Sequence, residues 1–133
     1  MFNMDNERQI AYWLKSAKHD FEAAEALIKE NKYDWALFLG HLVLEKTLKA
    51  IFVQQKRIFP PKTHNLVVLI KEIGIEVNDE IYDFFAEVNT FHISTRYPDE
   101  QFKFYRLCTE EFTLEKFNQI KEKFKWLQKK LKS

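Results

Sequence analysis

A chain of 133 residues, 46% hydrophobic and 16% aromatic, is long enough to bury one core without disulfide or metal staples. Two glycines and three prolines leave room for few turns, which excludes a disordered or turn-rich chain. The 21 basic and 20 acidic residues leave a net charge of +1, so bulk electrostatics point neither to a nucleic-acid binder nor to an acid-seeking protein.

The first predicted element carries Ile10, Leu14, Ala17, Phe21, Ala24 and Ile28 at 4-3 spacings, with Trp13 beside the stripe and lysines and glutamates opposite. That is one face of an amphipathic helix. Asn31-Lys32-Tyr33 breaks it. A second helix, about Asp34 to Gln55, is apolar nearly all round, so other helices or a partner chain must surround it. Pro60-Pro61 ends that unit, and Thr63 is placed to cap a third helix bearing Leu66, Leu69, Ile70 and Ile73, with Gly74 as its stop. Asn78 caps a fourth helix, with Asp79 and Glu80 in its positive first turn. Because Pro98 disfavours helix at Tyr97, this fourth helix is expected to end between Ser94 and Arg96, followed by a loop over residues 97–108. Thr109 caps the last helix, lined by Phe117, Ile120, Phe124, Leu127 and Leu131.

No segment alternates with period two, and no repeat or linker divides the chain. The expected fold is all-α, an up-and-down four-helix bundle with one additional short helix, forming a single domain over residues 1–133. A single Cys108 suits a reducing compartment, no apolar signal core precedes the first helix, and the longest apolar stretch, Trp35 to Leu44, is broken by Gly40 and His41. A cytoplasmic protein without a membrane span is the expectation.

Several chemistries lack their motifs. No set of His, Cys, Asp or Glu has metal-ligand spacing, so neither a metal nor a cofactor is expected. Phosphate loops, dinucleotide fingerprints and serine-nucleophile motifs are missing as well. Within the second helix, Glu45 and Lys49 stand at i and i+4 and should pair, and His41 shares their face. The last helix carries Lys116, Lys121, Lys123, Lys125, Lys129, Lys130 and Lys132 against Glu115 and Glu122. Clustered on one side of the fold, with Lys103 and Arg106, they would form an approach to RNA or to an acidic partner.

Read in order, Tyr12-Trp13-Leu14-Lys15-Ser16-Ala17-Lys18-His19-Asp20, Ala36, Glu45-Lys46-Thr47-Leu48-Lys49-Ala50, Pro61, His64-Asn65-Leu66, Arg96-Tyr97-Pro98-Asp99 and Thr109-Glu110-Glu111 resemble the HEPN domain family of small bacterial and archaeal helical proteins. The resemblance spans about residues 8 to 131. It implies a helical bundle that forms a homodimer, with metal-independent RNA cleavage or nucleotide binding as its activity. It further implies a minimal nucleotidyltransferase as protein partner, in a toxin–antitoxin pair. The ribonuclease members carry an arginine and then a histidine with four to six residues between them. Arg96 stands at the arginine's place, and residues 97 to 103 contain no histidine. Arg57 and His64 have a matching spacing, but flank the loop between the second and third helices, so the coincidence carries no weight.

The candidate site is therefore the end of the fourth helix. If that helix reaches Arg96, His92 and Arg96 share a face. Histidine can shuttle a proton near neutral pH and arginine can grip two phosphate oxygens, which suffices for metal-free RNA cleavage. As a binding site, Arg96 is the phosphate ligand, Tyr97 stacks on a base, Asp99 orients Arg96, and Lys49 adds a second contact to a polyanion. The sequence favours a nucleotide- or RNA-binding protein. A metal-independent endoribonuclease using His92 and Arg96, and a non-catalytic dimerisation or protein-interaction module, are the alternatives, so whether the chain is an enzyme stays open.

Overall fold

The structure, a computed structural model, describes residues 4–93 and 96–131. Among them are six helices and no strand: α1 (Met4–Lys29), α2 (Tyr33–Lys56), α3 (Leu66–Ile73), α4 (Asp79–Asn89), α5 (Pro98–Leu107) and α6 (Glu110–Lys130). The all-α bundle is as the periodicity predicts, with one helix more. None of these helices is long and apolar enough to cross a membrane.

The amphipathic α1 folds back on α2 through a three-residue break. Asn31 adopts the left-handed conformation (φ 60°), and the Lys32 N–H bonds to the Leu27 carbonyl, closing the turn. Across this hairpin Lys46 Nζ reaches Asp20 at 2.6 Å and Ser16 at 2.8 Å. The helix that is apolar all round, α2, is the central one, packed against α1, α3, α5 and α6. Its Leu37, Val43, Leu44 and Leu48 are fully buried. At Gly40 a Cβ would stand 2.8 Å from Ile120 Cδ1, so the missing side chain lets α6 cross α2 closely. Phe21 of α1 stacks on Phe117 and meets Phe124 at a tilt, both of α6, and closes the bundle on that side.

Helix ends follow local chemistry in three of the predicted places. Asn78 accepts from the Ile81 N–H, Thr109 accepts from the Phe112 N–H, and Gly74 (φ 81°) turns left-handed with its N–H on the Ile70 carbonyl. Three expectations need correction. The cap of α3 is Asn65, whose carboxamide oxygen accepts from Val67 and Val68 N–H, while Thr63 instead accepts from the Asn65 N–H. Asn65 wins because it also meets Asn89 of α4: the Asn89 amide donates to Asn65 at 2.9 Å, and the Asn89 oxygen accepts from the Leu66 N–H at 2.8 Å.

The second correction is that α4 stops at Asn89, short of His92. Thr90 turns its hydroxyl onto the Glu87 carbonyl at 2.6 Å, and tight turns follow, in which the Phe91 N–H reaches Val88 and the His92 N–H reaches Asn89. Leaving the helix lets Phe91 and Ile93, two residues apart, both enter the core, where Phe91 meets Phe104 and Phe112. Third, the segment expected as a loop is the helix α5. Pro98 sits in its first turn, where its fixed φ and missing N–H do no harm. Of the other expected boundary residues, Ser94 and Thr95 lie outside the described residues.

Candidate functional site

One face of α2 presents His41, Glu45 and Lys49 at successive i, i+4 steps, and all three are buried. A buried carboxylate needs partners, and Glu45 has them. Its Oε2 accepts from Lys49 Nζ at 3.0 Å, the pair expected from the spacing. Its Oε1 lies 2.9 Å from Nδ1 of His64, which enters from the loop ahead of α3. His41 Nε2 stands 2.8 Å from the His64 backbone carbonyl, which can only accept. That contact therefore assigns the proton to Nε2 and leaves Nδ1 as a bare lone pair. Nδ1 faces Glu45 Oε1 at 3.8 Å.

His92 completes the cluster. Just past the end of α4, it stacks on His64 with ring centres 4.4 Å apart and planes 23° from parallel, and sits edge-on to His41 at 5.0 Å. Phe38 flanks it at 5.4 Å. It is 7% exposed, whereas the His64 side chain is 59% exposed, so His64 is the histidine that solvent reaches. The Asn65–Asn89 pair brings these two rings together by locking the start of α3 to the end of α4. Burial drives the His41 pKa down to about 4, overriding the attraction of Glu45, so His41 is neutral at pH 7. His92 is shifted down as well, by burial first and then by the neighbouring His64.

Around the cluster the surface holds two shallow depressions. One, about 210 Å³, is lined by His64, Asn65, Asn89 and His92. The other, about 220 Å³, is lined by Trp13, Lys49, Phe59, Pro60, Pro61 and Lys62, with the Lys49 ammonium 5.4 Å from the Trp13 ring centre. A larger groove of about 300 Å³ runs between α4 and α6, but Glu80, Asp83, Glu87 and Glu122 line it against Lys116 and Lys123. That surplus of carboxylates makes it a poor seat for a phosphate.

The residues chosen from sequence separate into two places. His92 and Lys49 join the histidine–glutamate cluster. Arg96 and Tyr97 stand at the entry to α5 instead, because α4 ends too early for His92 and Arg96 to share a helical face. The Arg96 N–H bonds to the Ile93 carbonyl at 3.0 Å, and the Gln101 amide donates to the carbonyls of both Ile93 and Arg96, clamping that turn. Among the described residues Arg96 makes no ion pair, so Asp99 in the first turn of α5 does not orient it. Its guanidinium lies 5.1 Å from the Phe104 ring centre. Tyr97 is 78% exposed.

The lysines of α6 do not gather on one side. Lys116, Lys123 and Lys130 recur at seven-residue steps and lie over Phe112, Phe84 and Trp126, while Lys121, Lys125 and Lys129 are exposed on the opposite stripe. Lys132 lies outside the described residues. The expected single basic approach is thus divided between two faces.

His41, Glu45 and His64 carry the geometry of the site, and of these only the α2 pair had a sequence signal, the i, i+4 spacing. His64 stood in the sequence only within the His64-Asn65-Leu66 stretch of the resemblance and in a spacing with Arg57, neither of which says which helix its ring meets.

Two comparisons agree with this architecture. In the crystal structure of TT1696 from Thermus thermophilus the same fold recurs: TM-score 0.76 at 20% identity, covering 92% of this chain and 98% of that one. No curated protein matches the chain. The family profile described as HEPN domain matches residues 10–131. With nearly its whole length matched by that profile, the chain belongs to the HEPN domain family.

Proposed function

We propose that this protein binds a nucleotide or RNA through its phosphates, with Arg96 as the principal ligand, Tyr97 as a stacking surface for a base, and Lys49 as a second cation toward the polyanion. The observation that carries this reading is the state of Arg96: a guanidinium supported on the Phe104 ring, engaged by no carboxylate among the described residues, beside an exposed tyrosine. An arginine left without a counter-charge and held by a clamped turn is prepared for a bidentate phosphate contact. Asp99, in the first turn of α5, then limits how much negative charge the site tolerates.

The test is fluorescence anisotropy with labelled RNA oligonucleotides and nucleotides. Removing a hydrogen bond to a charged group costs about 1.5–3 kcal/mol, so Arg96→Ala should weaken binding roughly 10- to 150-fold at unchanged stability. Equal affinity of wild type and Arg96→Ala for every ligand that binds would retire Arg96 from the role.

The protein acts in this reading as a homodimer and as the partner of a nucleotidyltransferase. In support, α5 turns Phe102, Tyr105 and Leu107 to solvent, and Asp34, Pro98, Gln101, Phe102 and Tyr105 line an apolar depression of about 260 Å³. The endoribonuclease alternative needs His92 to meet substrate, and its burial beneath His64 weighs against that role. Metal-free RNA cleavage lost in folded His92→Ala and Arg96→Ala proteins would restore it.

A further inference from the structure

The Nδ1 lone pair of His41 is a buried acceptor with no donor. The residue is fully buried, its other ring nitrogen is committed to the His64 carbonyl, and among the described residues no hydrogen-bond partner reaches Nδ1. What it faces is a second acceptor, Glu45 Oε1, at 3.8 Å. Two lone pairs opposed inside a protein are unfavourable, and an ion between them would satisfy both. His92 supplies a third donor atom, and those of His41, Glu45 and His92 all lie within 4.8 Å of one another.

We propose that His41, Glu45 and His92 bind a first-row divalent transition metal, zinc foremost. None of its three ligands is a residue assigned to the phosphate, and the two readings share only Lys49, which holds the other oxygen of Glu45. The dimensions suit the ion. Zinc bonds of about 2.0–2.2 Å in a tetrahedron set ligand atoms about 3.3–3.6 Å apart. His41 and Glu45 are already near that separation, preset at i and i+4 on one helix, the arrangement by which paired helical side chains hold zinc elsewhere. His92 is the ligand that has to close in, by about 1 Å on the same bond lengths. It lies just past the last residue of α4, in a turn where its N–H meets the Asn89 carbonyl, so its approach is a movement of the side chain and not of a helix.

Donor chemistry selects the class of metal. Two imidazoles and one carboxylate suit zinc, nickel, cobalt or copper, whereas calcium and magnesium prefer oxygen throughout. The outer contacts that hold ligating side chains are also in place. His41 gives its second nitrogen to a backbone carbonyl, and His64 bonds to the ligand oxygen of Glu45 at 2.9 Å. Lys49 occupies the other carboxylate oxygen, and Oε1, which His64 already meets, keeps a second lone pair for the metal, since an ionised carboxylate has about four lone-pair sites. Three protein ligands leave a fourth position for water or an anion, on the side of the depression lined by His64, Asn65, Asn89 and His92.

The experiment takes the full chain, strips it with a chelator, dialyses it against zinc chloride and counts bound metal by mass spectrometry, with calorimetry for affinity. One zinc per chain is expected, together with a raised melting temperature and, after cobalt substitution, the intense visible absorption of a site with fewer than six ligands. His92→Ala should abolish stoichiometric binding, and Arg96→Ala should leave it untouched. His41→Gln tests the central ligand but alters a fully buried residue. The exposed His64→Gln therefore serves as the variant safe for folding, with a loss of about 10- to 100-fold expected for an outer contact. Less than one zinc at tenfold excess, or full binding by His92→Ala, would overturn the site. So would binding abolished by His19→Ala alone, which would mark an adventitious surface ion.

Discussion

Glu45 shows how much one residue can organise. Its carboxylate, 4% exposed, survives burial because Lys49, four residues on, and His64, nineteen residues on, each take one oxygen. The first partner was legible from the spacing of two residues on one helix. The second was not, since nothing in the residues around His64 says which helix its ring will meet. Cys108 is a simpler case, a free and buried thiol. Burial foremost, with the nearby charge of Asp34, pushes its thiol up to about 12. An acid whose folded pKa is raised favours the fold while it stays protonated. That contribution is complete below the unfolded thiol's pKa of 9.0 and is lost as pH climbs from there toward 12. Cys108 should therefore react with a disulfide reagent at pH 8 no faster than the protein unfolds, and Cys108→Ala should flatten the decline of stability above pH 9. Immediate labelling of the folded protein would show that the thiol is exposed and ionised.

At the scale of elements, local rules read the proline at position 98 as the end of the fourth helix with a loop after it. The bundle resolves it differently. Once Phe91 and Ile93 are both drawn into the core, α4 has already ended at Asn89, and Pro98 is free to open a helix whose Phe104 packs against Phe91. The crossing of α2 and α6 at Gly40 is likewise tertiary. Alanine there would gain about 1 kcal/mol of helix propensity but force a methyl onto Ile120, a crowding of the kind that costs about 1–3 kcal/mol. Gly40→Ala should thus be neutral to about 2 kcal/mol destabilising on those figures. Ile120→Val removes the crowding atom, so the double variant should be more stable than the sum of the singles by at least about 0.5 kcal/mol in denaturant melts. Strict additivity would mean that the helices do not meet there.

At the scale of the whole molecule, the near-neutral charge is matched by the scattering of the α6 lysines. Binding of a polyanion through one arginine and one lysine should accordingly depend only weakly on salt. Helix α5 turns Phe102, Tyr105 and Leu107 to solvent. If two copies pair through this helix, as the proposed dimer requires, each contributes the same patch to the interface. Phe102→Glu should then shift the mass measured by sedimentation from dimer to monomer without changing the helical signal. A dimer unaffected by Phe102→Glu would place the contact on another face.

Everything governed by residues within about one helical turn of each other was decided by the sequence itself. That includes the helical register, the caps at Asn78 and Thr109, the glycine stop at position 74, and the face shared by His41, Glu45 and Lys49. These depend on backbone groups and side chains a few ångströms apart along the chain, so local chemistry suffices. Only the tertiary structure decided where α4 would stop, that α5 would exist, and that His64 and His92 would stack over Glu45. Those outcomes depend on burying Phe91 and Ile93 together and on one asparagine pair, Asn65 with Asn89, joining residues 24 positions apart. A contact of that kind has no period and no spacing to announce it, because its free energy comes from groups that meet only after the helices have packed.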